Sequence, residues 1–154
     1  MPVPSHGRAH GDPPVRSTAT TIPILVAEDD ELLRQTLRLL FEEEGYAVLE
    51  AADGRQVLEL LRTSPQPLVV VLDLLMATFS GEEVLYAVAK DHRLRRRHAF
   101  VLVSAAPHLS RRLRLMRVLT QLAVQRIAKP FDIDVLLDAV AQATRRVQRA
   151  PRGK

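Results

Sequence analysis

Five short apolar runs, separated by amphipathic stretches of helical length, constrain this chain more than any other feature. The runs are Ile24 to Glu28, Tyr46 to Glu50, Leu68 to Asp73, Ala99 to Ser104 and Val124 to Ala128. Their length suits strands rather than helices. Between them, Leu33, Leu37, Leu40 and Phe41 recur at helical spacing from Asp30 to Glu44, and Gly45 supplies a C-terminal cap. Asp53 can cap a helix reaching Thr63, with Val57, Leu60 and Leu61 inward and Pro65 and Pro67 ending it. Gly81 to Asp91 carries Val84, Leu85 and Val88, and Ser110 can cap a helix through Leu119. Asp132 can cap the last helix, with Ile133, Leu136, Leu137, Val140 and Val147 inward. Five strands alternating with five helices predict an α/β fold, because parallel strands need crossovers and right-handed crossovers cover both faces of the sheet.

The 154 residues allow one such domain, expected over 22–147, between a disordered tail over 1–21 and a basic tail over 148–154. The leading tail holds four prolines and lacks the apolar run of a signal peptide, and no apolar stretch approaches the roughly 18 residues of a membrane span. A cytoplasmic protein without membrane insertion is the expectation. With no cysteine there are no disulfides, thiol nucleophiles or cysteine-held metals, and the five scattered histidines do not suggest a metal site. The net charge of +4 conceals segregation: residues 22–89 carry 13 acids against 4 bases, whereas residues 90–117 carry 9 bases against Asp91 alone.

In doubly wound sheets the ligand site lies beyond the carboxyl ends of the strands. There the first strand runs into Glu28, Asp29, Asp30 and Glu31, acids that would equally suit a helix N-terminus. The third strand ends in Asp73, a costly residue after five apolar ones unless it meets solvent or a cation. The fourth ends in Ser104 and the fifth in Lys129-Pro130-Phe131. Together, three carboxylates from two strand ends suit Mg²⁺, which takes a few carboxylates and keeps several waters. Asp73 could then accept a phosphoryl group, with Lys129 and Ser104 binding its oxygens.

These residues resemble those of response-regulator receiver domains of bacterial two-component systems. The resemblance rests on Ile24-Leu-Val-Ala-Glu-Asp-Asp30, Val71-Leu-Asp-Leu-Leu-Met76 with Ser80-Gly81-Glu-Glu-Val-Leu85, Val101-Leu-Val-Ser104-Ala and Ile127-Ala-Lys-Pro-Phe131. It implies a flavodoxin-like five-stranded sheet of order 2-1-3-4-5. It also implies that Glu28 and Asp29 surround Mg²⁺ with Asp73 and the Leu75 carbonyl, that Asp73 is the phosphoacceptor, Ser104 the switch hydroxyl and Lys129 the phosphate-binding lysine. In that family the Lys-Pro peptide is often cis. Three departures stand out: Ala77 replaces the usual proline, Arg126 the usual aromatic switch residue, and Leu122 to Arg126 the usual Gly-Ala lead into the fifth strand.

The expected function is that of a stand-alone receiver in phosphorelay signal transduction. A sensor histidine kinase or histidine phosphotransfer protein would donate to Asp73, and the phosphoprotein would signal to an unidentified downstream protein or pass the group onward. Its switch and partner face is expected around the fourth helix, the fifth strand and the fifth helix, with Arg112, Arg117 and Arg126. Turnover of a separate substrate is not expected, and nucleic acid is not among the expected partners. The alternative is a receiver-like protein-binding module that acts without phosphorylation. A flavin or nucleotide enzyme ranks behind both, since the acidic first loop lacks phosphate-cradling glycines.

Overall fold

In the computed structural model, which describes residues 21–105 and 108–151, five parallel strands form one sheet in the order β2-β1-β3-β4-β5. The strands are β1 Ile24–Ala27, β2 Val48–Ala51, β3 Val69–Asp73, β4 Ala99–Ser104 and β5 Gln125–Ala128. All residues of β1, β3 and β4 are buried, as central strands covered on both faces require. The sheet order and the α/β class match the expectation.

The helices are α1 Glu31–Glu43, α2 Gly54–Thr63, α3 Gly81–Lys90, α4 His92–Arg97, α5 Leu113–Gln121 and α6 Ile133–Arg149. Two cores result. Phe41 of α1 and Leu136 and Val140 of α6 pack on Ile24, Val26 and Val101, while Leu61, Leu85 and Leu115 from α2, α3 and α5 pack on Leu25, Leu72 and Leu102. Asp30, Asp53 and Asp132 cap their helices, accepting from the amides of Leu33, Gln56 and Asp134. Gly45 follows α1 at φ +94°, the left-handed conformation a helix C-terminus commonly needs.

Three details differ from the sequence reading. Among the described residues there are six α-helices rather than five: α4 has a single buried residue, Leu94, so its four arginines show no apolar periodicity. Ser110 does not cap a helix. It lies in a 3-10 turn over Leu109–Arg111, and α5 starts at Leu113 with no side-chain cap. Ile133, expected inward, is 52% exposed because it opens α6 beyond the end of the sheet.

No helix among the described residues is long and apolar enough to cross a membrane. Residues 1–20 of the expected leading tail and 152–154 of the basic tail lie outside the described residues.

Candidate functional site

The C-terminal ends of β1, β3, β4 and β5 deliver the site. Glu28 and Asp73 are buried, Asp29 is exposed, and one carboxylate oxygen from each lies within 4.8 Å of the others. Lys129, directly after β5, reaches across two strands: its Nζ lies 3.1 Å from Glu28 Oε2 and 3.4 Å from Asp73 Oδ2. The Lys129-Pro130 peptide is cis. Ser104 is buried at the end of β4, paired in register with Ala128, and its carbonyl accepts from the Lys129 amide at 2.9 Å. Asp73 pairs with Val103, one residue before Ser104. Three strands thus bring Glu28, Asp29, Asp73 and Lys129 together, with Ser104 at the end of the fourth.

Backbone amides aim the carboxylates. Asp73 Oδ1 accepts from the Leu75 amide at 3.2 Å, Glu28 Oε1 from Asp30 at 3.2 Å and Asp29 Oδ2 from Ala77 at 3.2 Å. That last bond uses an N–H that proline at position 77 would lack. It ties the loop after β3 to Asp29, a consequence of the departure at Ala77 that the sequence did not disclose. Gly81 has a second role of this kind. A Cβ there would collide with the Asp73 carbonyl and approach Leu74 Cα, so only glycine lets α3 begin this close to the end of β3.

One ammonium faces two carboxylates, with a third close by, and burial and charge act on both Glu28 and Lys129. The Glu28 carboxyl is raised above its usual range, first by burial and then by the Asp73 charge, against the lowering by Lys129 and the Asp30 amide. Burial works against the Lys129 ammonium, but the hydrogen bond to Glu28 and the charges of Asp73 and Glu28 outweigh it and raise its pKa. The Asp73 charge raises both. Such a pocket of hard oxygens suits a small divalent cation, and Glu28, Asp29 and Asp73 are the residues able to hold one.

The residues expected at the partner face lie on α5, just before it, and on β5. Arg117 and Arg126 are exposed, and Arg126 Nη1 contacts Met116 Sδ at 3.4 Å. Arg112 is paired with Glu82 at 2.6 Å, and Glu82 also accepts from Tyr86 Oη at 2.6 Å. Arg114 lies over the Tyr86 ring at 4.1 Å, so α5 is clipped to α3 by charge and ring contacts. Sequence reasoning missed Glu82 and Tyr86, whose partners lie about thirty residues away.

Comparison with known proteins agrees with this geometry. The family model described as response regulator receiver domain matches residues 24–141. Response regulator RR06 of Streptococcus pneumoniae is 35% identical over 123 residues, which cover 80% of this chain and 53% of that protein. The chain therefore spans about half the length of that relative. Sporulation initiation phosphotransferase F of Bacillus subtilis is 32% identical over 119 residues, 76% of this chain and 89% of that protein. Among solved structures, response regulator TrrA of Thermotoga maritima, in complex with Mg²⁺-BeF, superposes with a TM-score of 0.66 at 25% identity, covering 79% of this chain and 98% of that one. By its sequence, its sheet order and the residues at its strand ends, the chain belongs to the response regulator receiver domain family.

Proposed function

We propose that Asp73 accepts a phosphoryl group from a phosphohistidine of a sensor kinase or phosphotransfer protein, and that the acyl phosphate is the signalling state. Receiver domains are signalling modules of two-component systems rather than turnover enzymes. The observation that carries the reading is the placement of Lys129 Nζ against both Glu28 and Asp73, with Asp29 in reach of the same point.

In the transfer an Asp73 carboxylate oxygen bonds to phosphorus as the P–N bond to histidine breaks. The imidazole nitrogen leaves with the bonding electrons and takes a proton. The Leu75 amide holds Asp73 Oδ1, which orients the carboxylate toward the open end of the sheet. Mg²⁺, held by Glu28, Asp29, Asp73 and the Leu75 carbonyl, would neutralise charge on the transferring oxygens. Lys129 would exchange its contact with Asp73 Oδ2 for a phosphoryl oxygen, and the Ser104 hydroxyl would bind another. Because the Ser104 carbonyl and the Lys129 amide are bonded, movement of either is passed to β4 and β5, and so to the surface of α5, β5 and α6. Arg117 and Arg126 are the free cations we assign to the downstream protein there, and Arg112 becomes available only if it leaves Glu82.

The test is incubation with a small phosphodonor and Mg²⁺. An acid-stable, base-labile phosphate should appear and be absent from Asp73→Asn. No incorporation from small donors or from kinases would instead identify a binding module that acts without phosphorylation.

A further inference from the structure

The turn that leaves β1 is fastened from α1. Glu28, Asp29 and Asp30 follow β1 directly, and the Glu28 backbone is held on both sides. Its amide donates to the Ala51 carbonyl at the end of β2 at 3.1 Å, and its carbonyl accepts from Arg34 Nη1 at 2.9 Å. Arg34 stands near the start of α1, and its Nε lies 3.4 Å from Glu50 Oε1 on β2. The Arg34 side chain is 16% exposed, so this is not the loosely held surface pair that contributes little. A guanidinium is a planar fork, and here one side of it meets the acid that orients it while the other meets the turn.

The Glu28 carbonyl and the Asp29 amide belong to one rigid peptide plane, so fixing the oxygen fixes the direction in which Asp29 leaves the strand. Two carboxylates depend on that direction. Glu28 Oε1 accepts from the Asp30 amide and Asp29 Oδ2 from the Ala77 amide, each at 3.2 Å, and rotation of the peptide between Glu28 and Asp29 would disturb both bonds. We propose that Arg34 is a positioning residue of the divalent-cation site. Through the Glu28 carbonyl it holds Glu28 and Asp29 in the arrangement that binds the ion, and Glu50 in turn holds Arg34. This role rests on the reading of Glu28, Asp29 and Asp73 as the residues that take Mg²⁺.

The charge of Arg34 and its geometry make opposite demands. A cation beside an acidic pocket repels a dication, so on charge alone the loss of Arg34 would tighten Mg²⁺ binding. Loss of a group that orients the ligands weakens binding instead, by about 10–100-fold for outer-shell partners of metal sites. The sign of the change separates the two roles. Arg38, one turn further along α1, supplies the comparison: its Nε lies 3.8 Å from Glu50 Oε2, too far for a hydrogen bond. It places the same charge beside the same acid, and among the described residues no hydrogen bond joins it to the turn after β1.

The test is titration with Mg²⁺ at constant ionic strength, followed by heteronuclear NMR. It compares the wild-type chain with Arg34→Met, Arg38→Met, Glu50→Gln and the double variant Arg34→Met with Glu50→Gln. Arg34→Met should raise the dissociation constant about 10-fold, whereas Arg38→Met should leave it unchanged or lower. Glu50→Gln should raise it by a smaller factor. The double variant should bind no more weakly than Arg34→Met alone, because Glu50 acts through Arg34. Amide shifts remote from the turn report that each variant is folded. Should Arg34→Met not fold, Arg34→Lys takes its place: it keeps the charge but lacks the fork, so its dissociation constant should still rise. The proposal is overturned if the constant is unchanged or lowered in the Arg34 variant, if Arg38→Met raises it equally, or if the effects of Arg34→Met and Glu50→Gln simply add. Absence of Mg²⁺ binding by the wild-type chain overturns the cation site itself and this role with it. Weakened binding in the Arg34 variant, with no phosphate on Asp73 from any donor, upholds this role and refutes the phosphoacceptor.

Discussion

The folded chain should lose stability between neutral pH and pH 5 through one histidine far from the carboxylates. His98 is 6% exposed; its Nδ1 accepts from the Leu68 amide and its Nε2 donates to the Leu61 carbonyl, each at 3.0 Å. A ring with that pattern is neutral, since a proton on Nδ1 would face the Leu68 N–H. Burial lowers its pKa from 6.5 to about 4; the bond to Leu61 opposes the shift, and the Arg97 charge adds to it. The unfolded chain takes up a proton below about pH 6.5, whereas the folded chain does not until about pH 4. The contribution of His98 is therefore fully present above 6.5 and is lost progressively as pH falls through that window. At about 1.36 kcal/mol per unit, the loss from pH 7 to pH 5 is about 2 kcal/mol, a sizeable part of the 5–15 kcal/mol typical of a domain.

The measurement is urea unfolding of the wild-type chain and His98→Asn at both pH values. Asparagine can still accept from Leu68 but does not titrate, and it leaves the Leu61 carbonyl without its donor. The variant should be less stable at pH 7 by about 1–3 kcal/mol. Its loss on going to pH 5 should nonetheless be about 2 kcal/mol smaller than that of the wild type. The remaining histidines are common to both proteins and cancel. Parallel pH profiles, or the His98 ring of the folded protein titrating near 6.5 by NMR, would refute the reasoning.

At the site itself, Mg²⁺ should bind with a dissociation constant on the order of millimolar, so that about 10 mM raises stability by about 1.4 kcal/mol and Tm by a few degrees. Asp29→Ala should abolish that thermal shift. Leu75, 61% exposed beside Asp73, should hinder the water that attacks the acyl phosphate, so Leu75→Asn should shorten its half-life in purified phosphoprotein. The companion position Ala106, where Ala106→Glu should add to that effect by orienting the attacking water, lies outside the described residues. Gly81→Ala should cost about 1–3 kcal/mol in unfolding experiments, because its methyl group would displace the end of β3, and it should slow phosphorylation by a small donor even where the protein is fully folded.

The strands and their terminal residues were legible because each is announced by a local pattern: an apolar run, then a polar residue where a buried strand would not otherwise place one. Asp73 after Leu68 to Leu72 is the clearest instance. What escaped is what depends on contacts remote in sequence. α4 is held by Leu94 and by the buried ring of His98, whose partners lie 30 and 37 residues away, so its own residues read only as a basic run. Ser110 looks like a helix cap, yet the chain turns once more before α5, where Arg112 pairs with Glu82 thirty residues earlier. The bond between Ala77 and Asp29 spans 48 residues and leaves no mark in either segment.

The site is assembled against the stability of the fold that carries it. Burying Glu28 and Asp73 within reach of Asp29 concentrates negative charge at the end of a sheet whose central strands are apolar, and Lys129 offsets only part of it. The amides of Asp30, Leu75 and Ala77 each hold one carboxylate in place without neutralising it. Orientation is thereby supplied by the backbone and charge balance is left incomplete. On the proposed function, a divalent cation and a phosphoryl group would act on that balance in opposite directions, the first adding positive charge and the second drawing Lys129 from Asp73. Because Lys129 and Ser104 are joined through their backbones, a change in that balance must be felt by β4 and β5, which lie beneath α5 and α6. If Asp73 is phosphorylated as proposed, relief of the unfavourable electrostatics of the resting pocket would contribute to the bias it exerts on the distant surface.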